Sequence, residues 1–359
     1  MPSRERFRRI CGHQAPDRFP IDYLAHPAVD RALRRHFGAE CEKDLLEVLG
    51  CDFYYLSCRD ISQNESCAPC YRGPRLLMNN QERVCPFGIR WKRGAYGSKF
   101  AVDEALEGPL ENATTEKEIL AHNWPDPKWF DFEALHHECE DFKDKVIMGG
   151  FWAGILGDSY RMLGFQKFLL NMVAKPQLIK TIVDRITDFY LELNDSIFKE
   201  MKGKIDIWFF GNDFGSQEGL LFSKTMFGDY FAQNIKRLTN LAHGYGLKVM
   251  MHSCGAISEI IPLLLDLGVD ILDPIQIQAQ GMEPETLTQR FGARLVFHGG
   301  IDTQSILPRG NPEEIQIHVR QIIQNLGKFH GYIFAPSQIL QTDIPLQNIE
   351  TMYKIARET

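Results

Sequence analysis

Nowhere in this sequence does an apolar run approach the roughly 18 residues that a membrane-spanning helix needs. Positive charge is not in excess either: 40 lysines and arginines face 47 aspartates and glutamates, a net charge of -7. That balance argues against a nucleic-acid groove as the main business of the chain. The opening stretch, MPSRERFRRICGHQAPDRFP, is basic but has no apolar core, so it does not read as a secretory signal. Low-complexity tracts are missing, and no repeat shows a conspicuous period. These absences leave a globular protein expected in the cytoplasm, without nucleic acid or membrane among its partners.

What is present begins with length. At 359 residues the chain can bury a sizeable core, as two domains or as one large α/β barrel. Nine cysteines are spread unevenly, with Cys51, Cys58, Cys67, Cys70 and Cys85 close together and Cys254 alone far downstream. In a cytosolic chain such residues are expected as reduced thiols or metal ligands rather than disulfides. The Cys67–Cys70 spacing reads as half a structural zinc site or a redox pair. A second such pair is missing, so loop thiols explain it as well.

Eight short apolar runs alternate with longer amphipathic stretches: FPIDYL (19–24), GCDFYYLS (50–57), KVIMGGFW (145–152), IDIWFFGND (205–213), LKVMMHSCG (247–255), VDILDPIQ (269–276), ARLVFHGG (293–300) and GYIFAPSQ (331–338). Continuous apolar strands separated by helices point to a parallel sheet covered by helices. The number of runs favours a closed (β/α)8 TIM barrel, with 1–359 as a single domain. Two of the intervening stretches, ISEIIPLLLDLG and PEEIQIHVRQIIQNLG, end in glycine, where a left-handed C-cap is expected. Residues 58–125 do not fit a bare barrel. The alternation in GIRWKR and GSKFAV, with Gly94 and Gly97 between, predicts a hairpin. We read 58–125 as an insertion after the second strand, lying as a lid over the barrel mouth.

In such barrels chemistry gathers at the carboxyl ends of the strands. The run LKVMMHSCG finishes on His252 and Cys254, and alternation puts positions i and i+2 of a strand on one face. These two side chains are a candidate half of a metal site. Asp213, after the fourth run, reads either as a helix N-cap or as a site acid. Asp22, Tyr23, Asp52, Trp152, Gln217, Gln276, Gln278, Asp302, Ser337 and Gln338 complete a polar rim. Gly299-Gly300-Ile301-Asp302 suits an anion cradle, or a tight turn in which Asp302 caps the next helix. His243 sits at a helix end and reads as structural.

The segments GNDFGSQEGLLFS, KVMMHSCGAISEIIPLLLDLGVDILDPIQ and LVFHGGIDTQSILPRGNPEEI resemble the uroporphyrinogen decarboxylase superfamily, best from about residue 145 onward. The resemblance implies a (β/α)8 barrel and one of two chemistries. True decarboxylases of the family carry an arginine-rich RQAGR-type stretch after the first strand, where this chain has IDYLAHPAVDRALRR. They also carry a histidine near the last strand, where this chain has APSQIL. A substrate with eight carboxylates needs many arginines, and the rim offers few. The other branch comprises cobalamin-dependent methyltransferases, whose zinc site resembles His-x-Cys at the fifth strand plus a cysteine near the last.

His252 and Cys254 match the first part of that zinc motif, and APSQIL lacks the second. The third ligand is then expected from Asp213, Gln276 or a cysteine of the insertion, since catalytic zinc takes three protein ligands. The expectation is a zinc-dependent methyltransferase that exchanges a methyl group between a small molecule and a corrinoid. No DxHxxG-type corrinoid stretch is present, so a separate corrinoid protein is the expected partner. Asp213, His252 and Cys254 are the expected catalytic residues, with His252 and Cys254 on the metal. Asp52, Trp152, Gln217, Gln276, Asp302 and Gln338 are the expected substrate contacts. The alternatives are tetrapyrrole decarboxylation, with Asp52 or Asp213 steadying the pyrroles, and a non-catalytic binding barrel.

Overall fold

A computed structural model describes residues 1–57, 70–79, 82–96 and 100–359. Ten strands fall among them: β1 (Phe53–Tyr55), β2 (Glu82–Val84), β3 (Arg90–Tyr96), β4 (Phe100–Glu107), β5 (Val146–Gly149), β6 (Ile207–Gly211), β7 (Lys248–His252), β8 (Ile271–Ile275), β9 (Val296–Ile301) and β10 (Tyr332–Pro336). Seven form one parallel sheet in the order β1-β5-β6-β7-β8-β9-β10. Six lie inside the apolar runs picked out by sequence, and β9 runs one residue past its own, to Ile301. The remaining run, FPIDYL, makes an isolated parallel bridge from Ile21 to Phe334. The Asp22 N–H donates to the Phe334 carbonyl at 2.9 Å and the Asp52 N–H to the Ile21 carbonyl at 2.8 Å. This short segment therefore bonds to both edges of the sheet.

Strand alternation separates two cores. Outward positions such as Trp208, Phe210, Met251, Leu272, Phe297 and Phe334 pack beneath the helices in one large cluster. Inward positions form a smaller one: Phe53, Val146, Met148, Ile207, Met250, Ile271, Val296 and Ile333, closed from below by Phe7 and Ile10 of helix Ser3–Cys11. Stacked layers of inward side chains fill the space inside such sheets. Two residues further along, the same inward face carries Tyr55, Phe209, His252, Asp273 and His298. The chemistry thus rests on an apolar floor.

The predicted hairpin is present as β3 and β4, and β2 extends it to a three-stranded antiparallel sheet. Its Trp91 ring lies under the guanidinium groups of Arg83 and Arg161. Phe87 packs edge-on to Phe189 on helix Pro176–Glu200. The described part of the insertion therefore rests on helices. Residues 58–69, 80, 81 and 97–99, including Cys58 and Cys67, lie outside the described residues, and with them part of the 58–125 lid and one member of the Cys67–Cys70 pair. Cys51, Cys70 and Cys85 are buried free thiols.

The two glycine caps differ. Gly268 takes the expected left-handed conformation with φ 96°. Gly327 does not: its φ is -79°, one more tight turn follows, and His330 takes the left-handed position instead. Glycine is needed at 327 because a Cβ there would lie 2.5 Å from the Phe19 ring. Among the described residues no helix is long and apolar enough to cross a membrane.

Asp52 fastens the closed end. Its carboxylate, 1% exposed, accepts from Ser3 Oγ at 2.7 Å, Arg6 Nη1 at 2.5 Å, Arg18 Nη1 at 2.7 Å and the Ile21 N–H at 2.8 Å. One side chain thereby holds the plugging helix and the bridging segment to β1. Removing one partner of such a buried pair costs about 3–5 kcal/mol, so Asp52→Asn is expected to lose an amount of that order in urea unfolding. A loss inside the scatter of surface substitutions, about 0.5 kcal/mol, would show that the anchor is dispensable.

Candidate active site

The inward layer above the floor lines a cavity of about 290 Å³, with Leu24, Trp152, Phe209, Pro274, Ala335, Pro336 and Ile339 as apolar walls. Asp22, Tyr55, His252, Asp273, His298, Ser337 and Gln338 supply the polar lining. Such a cavity sits at the small end of ligand sites, which are mostly apolar with a few placed polar groups. Trp152 reaches it because Gly211 has no side chain: a Cβ there would lie 2.4 Å from the indole. The indole packs 5.0 Å from Phe209 and 5.5 Å from His252, centroid to centroid.

His252 ends β7, and the chain turns sharply after Cys254 because Gly255 takes φ 89°. A Cβ at 255 would meet the Ser216 carbonyl at 2.5 Å, so the turn packs directly on the loop that follows β6. That loop is pinned by Asn212, whose Oδ1 accepts from the Leu156 N–H at 2.6 Å and whose Nδ2 donates to Ala153 at 3.1 Å. Asp213 is thereby brought to Cys254 and accepts its backbone N–H at 3.0 Å. Cys254 Sγ lies 3.2 Å from His252 Nε2, and Asp213 Oδ1 lies 3.4 Å from the same nitrogen. The ligand atoms of all three lie within 4.8 Å of one another.

This donor set fits zinc. With Zn–S near 2.3 Å and Zn–N or Zn–O near 2.0–2.2 Å, tetrahedral donors stand roughly 3.4–3.6 Å apart, close to the spacing here. Nitrogen, thiol and carboxylate are all zinc ligands. Gln338 Nε2 donates to Cys254 Sγ at 2.8 Å, so the end of the last strand meets the site through an amide.

Below the three donors runs a chain of charged groups. His252 Nδ1 meets Asp273 Oδ2 at 2.5 Å, and Asp273 Oδ1 meets His298 Nδ1 at 2.6 Å. His298 Nε2 meets Asp22 Oδ2 at 2.9 Å, to which the Tyr55 hydroxyl also donates at 2.5 Å. Burial works against the charge on His298, but Asp273 and then Asp22 outweigh it and raise its pKa to about 9. Burial opposes the charge on His252 too, yet Cys254, Asp213 and Asp273 lift it well above its ordinary value. Enclosure pushes the Asp213 carboxyl up, while the His252 contact and the Cys254 N–H hold it at about 2. Asp273 stays below the usual carboxylate range because His298 and His252 outweigh its burial.

Of the residues expected from sequence, Asp213, His252, Cys254, Trp152 and Gln338 are brought together. Gln276 stands behind them, buried, accepting the Gly255 N–H at 2.9 Å. The other expected substrate contacts are placed elsewhere. Asp52 precedes β1 and serves the anchor at the closed end. Asp302 closes the turn before the next helix, accepting from the Gln304 and Ser305 N–H groups at 2.7 and 3.0 Å, and from Gln278 Nε2 at 2.8 Å. Gln217 is exposed and its carbonyl accepts from the Gln280 N–H. Tyr55, Asp273 and His298 were not singled out by sequence. Their signal was a polar side chain inside an apolar run rather than at its end.

The uroporphyrinogen decarboxylase (URO-D) family profile matches residues 84–359, and the chain belongs to that family. No curated protein matches it by sequence. Among solved structures, the methyltransferase from Methanosarcina mazei is similar over 100% of this chain and 99% of that one, with a TM-score of 0.67 and 15% identity. A GH10 endoxylanase from sugarcane soil metagenome covers 59% of this chain and 71% of its own, with a TM-score of 0.38 and 13% identity. The former shares the fold; the latter carries no argument.

The His298 pairing has a pH signature. Its folded pKa of about 9 exceeds the unfolded value of about 6.5. The stabilisation is fully present below about pH 6.5 and is lost as pH rises through about 9. In metal-free protein the melting temperature is expected to fall across that window, and less steeply in His298→Gln. Equal slopes in the two proteins would show that His298 is not held as a cation.

Proposed function

We propose that this member of the uroporphyrinogen decarboxylase family is a zinc-dependent methyltransferase that exchanges a methyl group between a small molecule and a corrinoid carried on a separate protein. The observation that carries the reading is the convergence of Asp213, His252 and Cys254 at the rim of the pocket. The full-length likeness to a protein described as a methyltransferase supports it. In the same reading the sheet is a closed (β/α)8 barrel, with FPIDYL (19–24) as its first strand.

Asp213, His252 and Cys254 would hold the ion, in place of the second cysteine that the resemblance led us to look for. Bound there, zinc supplies a Lewis acid that lowers the pKa of a thiol or hydroxyl at the open position. Gln338 donates to the Cys254 sulfur at 2.8 Å and so holds it in place. Trp152 and Phe209 form the wall against which a small apolar body would pack. The apolar floor of Met250, Ile271 and Ile333 keeps water from entering below. Tetrapyrrole decarboxylation would need an arginine-lined cavity, and among the described residues the lining holds no arginine or lysine.

Protein purified without chelator is expected to carry about one zinc per chain, and Cys254→Ser to lose it. The zinc-loaded wild type is then expected to demethylate methylcobalamin in the presence of a thiol, followed by the corrinoid absorbance, with Cys254→Ser inactive. Absence of zinc from the wild type overturns the reading. Zinc present without any corrinoid turnover, on free or protein-bound cobalamin, would leave a metal-binding barrel instead.

A further inference from the structure

Asp22, Asp273 and His298 are buried titratable groups on the inward face, exposed by 1%, 6% and 4%, and a three-ligand metal site does not by itself require them. Burying two carboxylates and an imidazole is costly unless each is paired and hydrogen-bonded. Here the pairing is complete. Asp273 gives one oxygen to His252 Nδ1 at 2.5 Å and the other to His298 Nδ1 at 2.6 Å. The second nitrogen of His298 meets Asp22 at 2.9 Å. Asp22 in turn accepts from the Tyr55 hydroxyl at 2.5 Å and the Tyr23 N–H at 2.8 Å.

A carboxylate bonded at one oxygen can swing about its Cβ–Cγ bond; one bonded at both cannot without breaking a contact. With Asp273 fixed, the His252 ring has one favourable orientation, Nδ1 inward and Nε2 toward Cys254 and Asp213. Strand register assists, because His252 and Asp273 are paired positions of β7 and β8. His298 reaches the pair from β9 and is held from its far side by Asp22. Carboxylates on the remote nitrogen of a ligating histidine set its tautomer and its donor strength. The group that immobilises that carboxylate acts one step further out.

We infer that His298 is a positioning residue for the metal centre: clamped by Asp22, it locks Asp273, which holds His252 with Nε2 facing Cys254 and Asp213. The inference rests on the proposed zinc site for what His252 is positioned to do, but not for the positioning itself. Its reach includes Tyr55, which keeps Asp22 in place, so four strands of the sheet contribute to the orientation of one ligand.

The test uses the full chain as wild type, His298→Leu and His298→Gln. Cobalt(II) and zinc are titrated into each, with the visible cobalt spectrum recorded, and metal-free samples are examined by imidazole nitrogen NMR. In folded His298→Leu the affinity for either ion is expected to fall about tenfold or more, the cobalt spectrum to change, and the strongly shifted His252 Nδ1–H signal that marks its bond to Asp273 to be lost. His298→Gln, whose amide can still donate to Asp273, is expected to recover most of the affinity and that signal. A merely structural His298 would lower the melting temperature of His298→Leu yet leave the affinity, the cobalt spectrum and the His252 signals as in the wild type, and that result overturns the inference. Should His298→Leu not fold, His298→Asn replaces it, being too short to span both carboxylates. If the wild type takes up neither ion, the zinc reading fails, and the metal-free His252 signals still decide the positioning role.

Discussion

The carboxylate of Asp273, shared between two histidines, is the interaction on which the candidate site depends. It stands on a layer of apolar side chains that exclude water from beneath, so its two contacts act in a medium where charges attract strongly. The same medium makes the arrangement intolerant of a missing partner, since an unpaired buried charge is far costlier than the pair is valuable. Each member therefore constrains the next, from Tyr55 through Asp22 and His298 to His252. The open end of that chain is a nitrogen, a thiol and a carboxylate facing one point.

The closed end shows the same device without an opening. Asp52 gathers Ser3, Arg6, Arg18 and the Ile21 N–H around one buried carboxylate. These partners leave no route to the inner cavity, because Phe7 and Ile10 fill the space between. Strand position separates the two uses: Asp52, just before β1, fastens the fold, and Asp273, farther along β8, meets the pocket. This is the division of labour expected of a parallel strand-and-helix enclosure.

Much of this was legible in the sequence. Eight apolar runs marked the seven sheet strands and the bridging segment, because parallel strands buried on both faces need apolar side chains on both. The glycines around GIRWKR and GSKFAV marked the hairpin, and the spacing of His252 and Cys254 put both donors on one face. Asp52 and Asp302 were harder to place. Both adjoin strands, and a one-dimensional reading does not reveal which end of a short strand opens to the pocket or which carboxylate is consumed in closing a turn. Tyr55, Asp273 and His298 were not legible as site residues because they stand inside the runs rather than at their ends.

By itself, then, the sequence determined the alternation of strands and helices and the placing of His252 and Cys254 together at the end of one strand, both of which follow from local periodicity. Only the tertiary structure brought Asp213 beside His252 and Cys254, Gln338 onto the sulfur, and Asp22, Asp273 and His298 into one connected chain. Those choices depend on which strands become neighbours and in what register. Residues 22, 55, 252, 273 and 298 belong to five separate segments, and no spacing along the chain encodes the few ångströms between them.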